Sequence, residues 1–164
     1  MKTGRGPVLV CLAAMPGALG CAPLIAGTVS DTIAVTATVE ESCRLDARPL
    51  VFGALPADHG SLDARSSVVL ACTPAASYVV TMDDGRHGAD GTRRMADPAG
   101  GRFLAYEIFS DAARTRRWGA HAASAVSAVA PAGGSVELAV YARLAAGQTQ
   151  AGAYADTVTV TVAF

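Results

Sequence analysis

The sequence predicts an all-β protein, an antiparallel β-sandwich formed by one domain. Several segments alternate apolar and polar residues with a period of two and are rich in Val and Thr, a pattern typical of strands. The 17 glycines and 8 prolines separate these segments at close spacing, as expected for short antiparallel strands joined by turns. The 164 residues suit a single domain of ordinary size.

The strands are predicted from this alternation in chain order. In the first of them Ile33, Val35, Ala37 and Val39 share one face, and threonines dominate the other. A long polar connection occupies most of residues 83–101. The predicted strands are 32–39, 49–53, 66–72, 78–82, a short one at 93–95, 103–109, 126–129, 136–144 and 154–164.

The final strand has the most regular alternation in the chain. Val158, Val160, Val162 and Phe164 share one face, and Thr157, Thr159 and Thr161 share the other. The Ala-rich stretch 120–130 is not predicted as a helix, because it contains β-branched valines and lacks a capping signal.

The first 27 residues are predicted to be a secretory signal peptide. Lys2 and Arg5 precede the short apolar run 8–15, small residues follow, and no acidic residue occurs before Asp31. The run is interrupted at residues 16–17, which argues against a transmembrane helix.

Two processing sites compete in this leader. Cleavage near Ala26 or Gly27 leaves a chain that starts around Thr28. The alternative is a lipoprotein-type cleavage before Cys21, which follows a loose match to a lipoprotein box.

Composition excludes some classes of protein. Charged residues are 16% of the chain, below the roughly 25% of an average soluble domain. Without the leader, 11 Arg and 14 acidic residues give a net charge of −3. Neither a basic nucleic-acid-binding protein nor an acidic disordered chain has this balance, so no nucleic-acid partner is expected.

Two cysteines, Cys43 and Cys72, remain after removal of the leader. An even pair in an exported chain predicts a disulfide, and the alternative is two unpaired buried thiols. The sequence lacks C-x-x-C spacing and has few histidines, so neither a redox motif nor a zinc site is supported.

The polar loops offer few candidates for chemistry. Asp83, Asp84, His87 and Asp90 could hold a metal, but their spacing does not match a calcium loop, and a solvated polar loop is the favoured interpretation. The three histidines, at 59, 87 and 121, have no recognisable Ser or Cys partner. We therefore expect no catalytic residue, no metal and no cofactor.

Two arginine clusters and one tryptophan have structural interpretations. Arg93-Arg94 and Arg114 with Arg116-Arg117 are interpreted as loop arginines paired with carboxylates. A phosphate site is the alternative, which the net negative charge disfavours. Trp118 is interpreted as a packing anchor rather than a ligand platform.

Taken in order, several short motifs resemble the spore coat protein U domain family, which includes major subunits of archaic (Csu-type) chaperone–usher pili. Each motif is weak alone, and their order over residues 31–164 makes the resemblance specific. The motifs are Ser42-Cys43, Leu50-Val51-Phe52-Gly53, Leu70-Ala71-Cys72-Thr73, Arg94-Met95, the stretch 104–111, Arg114-Thr115-x-x-Trp118-Gly119, the stretch 140–148, and the stretch 152–162.

The resemblance implies an incomplete immunoglobulin-like sandwich, at residues 42–164, whose missing strand is supplied by another chain. Residues 28–41 are the candidate donor strand, with Ile33, Val35, Ala37 and Val39 as the inserting row. The final strand, with Val158, Val160, Val162 and Phe164, is expected to flank the groove. The alternative is that the N-terminal strand stays in its own sheet.

The resemblance also implies a function and partners. The expected function is that of an exported, non-enzymatic fimbrial subunit for adhesion and biofilm growth. Its implied partners are a periplasmic pilus chaperone, an outer-membrane usher and neighbouring subunits. The room for one sandwich favours a shaft or minor subunit. The alternative is a secreted spore-coat or envelope structural protein of the same fold that forms no pili.

Overall fold

The computed structural model describes residues 27–56, 60–99, 101–147 and 151–164. Its internal contacts divide the chain into two units, residues 1–38 and residues 39–164. Residues 1–26 of the predicted leader, His59 and Gln148 lie outside the described residues. The described segment 27–38 and the larger unit are therefore treated separately.

Antiparallel strands build the larger unit, as the alternation predicts. One sheet has the order β1-β2-β7-β5-β4 and the other the order β6-β3-β8, and every pairing between neighbours is antiparallel. A 3₁₀ turn spans Ala122–Ser124. The strands are β1 (Cys43–Ala47), β2 (Leu62–Cys72), β3 (Ser77–Met82), β4 (Arg93–Ala96), β5 (Phe103–Phe109), β6 (Val126–Val129), β7 (Ser135–Leu144) and β8 (Val160–Ala163).

The core is formed by one face of each long strand. Alternate residues of β2, β3, β5 and β7 are buried because successive side chains of a strand point to opposite sides of the sheet. Trp118, which precedes Gly119, is completely buried among them. The buried apolar residues of the described strands are Ala64, Val68, Leu70, Cys72, Tyr78, Val80, Met82, Ala96, Leu104, Tyr106, Ile108, Val140, Ala142 and Leu144.

The prediction of a strand at residues 49–53 is wrong. Pro49 has no N–H to donate to a ladder, and Gly53 has a positive φ of 83°. The segment is tethered to β2 instead. The Arg48 N–H donates to the Ser67 carbonyl at 3.0 Å, and the Ser66 hydroxyl donates to the carbonyls of residues 48 and 49.

The predicted final strand is right in place but too long. Only Val160–Ala163 forms β8, which pairs with β3. Upstream, Ala155 exchanges two hydrogen bonds with Ala96 of β4, in the other sheet. Between these points the carbonyls of Thr157 and Thr159 accept from the 83–86 loop. The segment thus crosses from one sheet to the other.

Two further differences concern the first third of the chain. Strand β1 is not predicted as a separate strand, and β2 begins at Leu62, four residues before its predicted start at Ser66. The remaining predicted strands from β3 to β7 agree with the structure to within one residue at each end. No helix in the described part of the chain is long and apolar enough to span a bilayer.

The predicted strand at residues 32–39 is not formed in the structure, and the whole stretch from Gly27 to Ser42 that precedes β1 is non-regular. Ile33, Val35 and Val39 are 90%, 89% and 84% exposed, and Ala37 is also exposed. The alternating row is therefore presented to solvent in the described structure.

Cys43 and Cys72 form a disulfide between β1 and β2, as predicted. The two residues are direct partners in the β1–β2 register. The bridge joins residues separated by 29 positions, so it restricts a sizeable loop in the unfolded chain.

Replacing both cysteines by serine is expected to lower the free energy of unfolding by about 3–4 kcal/mol, because the unfolded chain regains the entropy of that loop. Urea denaturation of the oxidised wild type and the double variant measures the difference. The wild type unfolded in a reducing agent is the control and should match the variant. Equal midpoints for the oxidised wild type and the variant would show that the bond adds no stability.

Candidate functional site

An open groove of about 930 Å³ lies between the two sheets. One wall consists of inward side chains of the five-stranded sheet, among them Val68, Leu104 and Val140. The second wall is residues 47–56, and the third is residues 151–160 of the final segment. Most of the lining is apolar, so an extended chain with apolar side chains on one face fits its chemistry.

The final segment forms one wall of this groove with alternate residues. Val158 and Val160 line it, and with Val162 they pack against the core. Phe164 does not line the groove and is 56% exposed. Among the described strands β8 is bonded only to β3, so its other edge leaves backbone N–H and C=O groups available for pairing.

A buried carboxylate interrupts this apolar wall. The Asp156 side chain is 2% exposed and accepts the Tyr106 hydroxyl at 2.7 Å. It also accepts the His87 backbone N–H at 3.2 Å and lies 3.1 Å from His87 Nδ1. Burial, together with the hydrogen bond to Asp156, raises the pKa of Tyr106 far above its ordinary value, so the hydroxyl remains protonated and donates.

Sequence reasoning missed Asp156, although a signal for it was present. Its even number places it in the inward row of the final segment, where a charge requires partners. The neighbouring loop is shaped around it, because a Cβ on Gly85 would overlap Asp156 Oδ2, and Gly85 has a positive φ of 81°.

The 83–92 loop is held by its own polar residues. Asp83 accepts the N–H groups of Gly85 and Thr159, both at 2.9 Å, and Asp84 is ion-paired with Arg117 at 2.8 Å. The part of the chain that the structure describes contains no group of three or more His, Cys, Asp or Glu placed to hold a metal ion. These side chains fix the loop against the final segment.

Trp118 and Arg93 hold the last residues of β3 from inside the core. The Trp118 indole N–H donates to the Val80 carbonyl at 2.9 Å. Arg93, also completely buried, donates to the carbonyls of Met82, Asp83 and Trp118 at 3.1, 2.8 and 2.8 Å. A guanidinium suits this position because its donors satisfy several carbonyls at once.

Three arginines of the two clusters form ion pairs with carboxylates of the fold. Arg93 pairs with Glu107, Arg117 pairs with Glu107 and Asp84, and Arg114 lies 3.1 Å from Asp63. This agrees with the interpretation of loop arginines paired with carboxylates.

These features define a class of protein, an immunoglobulin-like antiparallel sandwich with an apolar groove beside an edge strand. The chain belongs to the Spore Coat Protein U domain family, whose model matches residues 29–161. The resemblance seen in the sequence motifs is thereby confirmed. A comparison with curated protein sequences gives no match.

Two solved structures are similar to this chain. The first is the CsuC–CsuE chaperone–tip adhesion subunit pre-assembly complex from archaic chaperone–usher Csu pili of Acinetobacter baumannii. One of its chains has 27% identity and a TM-score of 0.61, and the match covers 77% of this chain and 41% of that one. The second is a chaperone–tip adhesin complex of CFA/I fimbriae biogenesis, with 16% identity, a TM-score of 0.39, and coverage of 79% and 39%. The chain thus spans about two fifths of the length of each.

Acid is expected to weaken the groove wall through Asp83. Burial pushes the pKa of Asp83 up, but its hydrogen bonds with Thr159 and Gly85 outweigh burial, and the pKa lies below its ordinary value. The stabilisation is therefore complete above the unfolded pKa of about 3.9 and is lost as pH falls through the lower folded value.

We expect the free energy of unfolding to fall less steeply below pH 4 in Asp83→Asn than in the wild type. Asparagine keeps an acceptor oxygen but has no proton to gain. Urea unfolding at pH 7, 4 and 3 measures the slope, and Asp46→Asn, at an exposed residue of β1, is the control. Parallel curves for wild type and Asp83→Asn would contradict this role of Asp83.

Proposed function

We propose that this protein is an exported structural subunit of a chaperone–usher fimbria that polymerises by donor-strand complementation. The observation that carries the proposal is the coexistence, in one chain, of an open apolar groove beside β8 and an exposed alternating segment, residues 28–41. The likeness to a chain of the CsuC–CsuE complex supports it.

Addition of a strand from one copy to another would fill the groove beside β8 and bury the exposed apolar row of residues 28–41. A segment placed beside β8 pairs the free N–H and C=O groups of that edge. Its alternate side chains Ile33, Val35, Ala37 and Val39 enter the groove of a second subunit. Each Val or Ile that becomes buried contributes roughly 1.5–3 kcal/mol, so three of them with a backbone ladder support a long-lived contact.

Partners and location follow from the same mechanism. An unfilled groove exposes apolar surface, which before assembly requires a covering strand from a periplasmic chaperone. An outer-membrane usher and neighbouring subunits then complete the path to the cell surface. There the fibre serves adhesion and biofilm growth. The predicted leader agrees with export, and the subunit acts structurally rather than as an enzyme.

A second candidate is a secreted spore-coat or envelope protein of the same fold that forms no fibre. The name of the family, Spore Coat Protein U domain, refers to a spore coat and is the observation that favours this candidate. It predicts monomers after export, whereas the fimbrial proposal predicts oligomers.

The proposal is tested by comparing two double variants of the exported protein on unboiled SDS gels. Ile33→Asp with Val35→Asp places charges in the inserting row and should abolish the SDS-resistant ladder of the wild type. Thr32→Asp with Thr36→Asp changes the opposite row of the same segment and should keep the ladder. A separate deletion of residues 28–40 should also lose the ladder while still binding its chaperone.

Two outcomes would count against strand donation. One is a ladder that persists when residues 28–40 are deleted, and the other is equal loss of the ladder in both double variants. The circular dichroism spectrum of each variant establishes that the sandwich, which lies outside the altered segment, is still folded.

A further inference from the structure

One side chain on the floor of the groove touches both of its walls. Tyr106 of β5 donates its hydroxyl to Asp156 of the final segment at 2.7 Å. On the other side its ring packs edge-on against Phe52 of the 47–56 wall, with 6.2 Å between the ring centroids. All three residues line the groove. Because both walls rest on the same ring, Tyr106 lies directly beneath the path of an inserted strand.

The groove is shallow over this ring. Among the described residues that line it, the five-stranded sheet contributes no side chain larger than Tyr106. Its other contributions are Ser66, Val68, Met95, Leu104, Ile108 and Val140. The ring is also held in place, because the carboxylate of Asp156 is 2% exposed and accepts the His87 N–H as well as the tyrosine hydroxyl. A side chain that points onto Tyr106 therefore has to be small.

The proposed donor segment has one small residue in its inserting row. The row consists of Ile33, Val35, Ala37 and Val39. Ala37 is third of the four, so larger side chains precede and follow it. The second alanine of residues 28–41, Ala34, belongs to the opposite row. One small residue in the row thus corresponds to one shallow point in the groove.

The final segment offers an edge for pairing at the level of this shallow point. Ala155, Thr157 and Thr159 form its hydrogen bonds to β4 and to the 83–86 loop. Successive residues of an extended chain direct their backbone groups to opposite edges, so those of Asp156 and Val158 face the groove. Their side chains belong to the inward row, and an inward residue of the donor lies beside each of them.

An antiparallel donor with Ala37 beside Asp156 fills the groove with its whole row. All four partners in the final segment line the groove. The register pairs Ile33 with Val160, Val35 with Val158, Ala37 with Asp156, and Val39 with Tyr154.

The charge at the end of the donor segment favours this direction over the parallel one. In the antiparallel register Glu41 lies beside Gly152, where the Arg102 guanidinium is close to the glycine and the arginine side chain is 42% exposed. A parallel strand with the same alanine over the ring places Glu41 beside Val160. There the carboxylate enters an apolar part of the lining, which is costly without a partner.

Resting on the proposed function, we propose that the shallow point over Tyr106, held by Asp156, selects Ala37 of a second copy and thereby fixes the register of the donated strand. A shift of two positions in either direction brings Val35 or Val39 onto the ring, where the added methyl groups overlap it. The same shift places the alanine beside a deeper part of the groove and leaves a void there. The large residues of the row supply affinity, and the small one supplies the register.

The test uses a full-length acceptor that carries Ile33→Asp and Val35→Asp, so that its own segment does not donate. A fluorescein-labelled peptide of residues 28–41 is the probe, and fluorescence anisotropy gives its Kd. Ala37→Leu in the peptide should weaken binding about tenfold or more, because the added atoms overpack the site. Ala34→Leu, the same change in the opposite row, should leave Kd within about twofold of the wild-type value.

Two further variants test the position and the cause of the selection. A peptide with Val35→Ala and Ala37→Val has the wild-type composition and should still bind more weakly. Tyr106→Leu in the acceptor removes the ring and should reduce the penalty of the Ala37→Leu peptide. Circular dichroism establishes whether that acceptor folds, and if it does not, the peptides on the unaltered groove decide the question.

Disulfide trapping measures the register and direction of the bound peptide. Val160→Cys in the acceptor should form a mixed disulfide with an Ile33→Cys peptide and not with a Val39→Cys peptide. Preferential trapping of the Val39→Cys peptide would overturn the proposed register.

The outcomes separate this inference from the proposed function. If the wild-type peptide binds and Ala37→Leu changes Kd no more than Ala34→Leu does, the selection of Ala37 is wrong while strand donation stands. If the wild-type peptide does not bind at all, strand donation fails and this inference fails with it.

Discussion

The architecture of this sandwich depends on the crossing of its final segment from one sheet to the other. Ala155 is hydrogen-bonded to β4 of the five-stranded sheet, whereas Val160–Ala163 pairs with β3 of the three-stranded sheet. Because the same stretch serves both sheets, its middle is held by the 83–86 loop rather than by a regular ladder. The crossing leaves β8 at the edge of its sheet and forms one wall of the groove, so the groove is a result of topology rather than of loose packing.

The polar groups around the crossing fix its path between the two sheets. Asp83, Asp156 and Arg93 each connect elements that are distant in sequence, and each has its hydrogen-bonding capacity used by backbone or side-chain partners. Such groups are costly to bury unless they are satisfied, so their mutual satisfaction selects one arrangement of the loop. The core beside them consists mainly of small and medium-sized apolar residues, with Trp118 as its largest buried side chain.

Periodicity predicted most of the strands because alternating burial directly determines which residues a strand presents to the core. It failed where the hydrogen-bond partners of a segment depend on backbone restrictions or on distant parts of the chain. Pro49 and Gly53 prevent a regular strand in an apolar stretch, and residues 154–159 alternate correctly but bond to a loop and to another sheet. That Val158, Val160 and Val162 share one face was predictable from their spacing. Asp156 with Tyr106 and His87 was not, since it requires contacts between residues 50 and 69 positions apart.

The position of the disulfide has a mechanical consequence. A pull on the N-terminal segment enters the sandwich at Ser42, whose N–H donates to the Thr73 hydroxyl and whose carbonyl accepts the Thr73 N–H, and then at Cys43. The tension passes there through a covalent bond into β2, the strand that pairs with both β1 and β7 in the five-stranded sheet. The five-residue ladder of β1 therefore does not bear the load alone. Under tension the load therefore reaches the second strand of the larger sheet directly, rather than peeling β1 away from its edge.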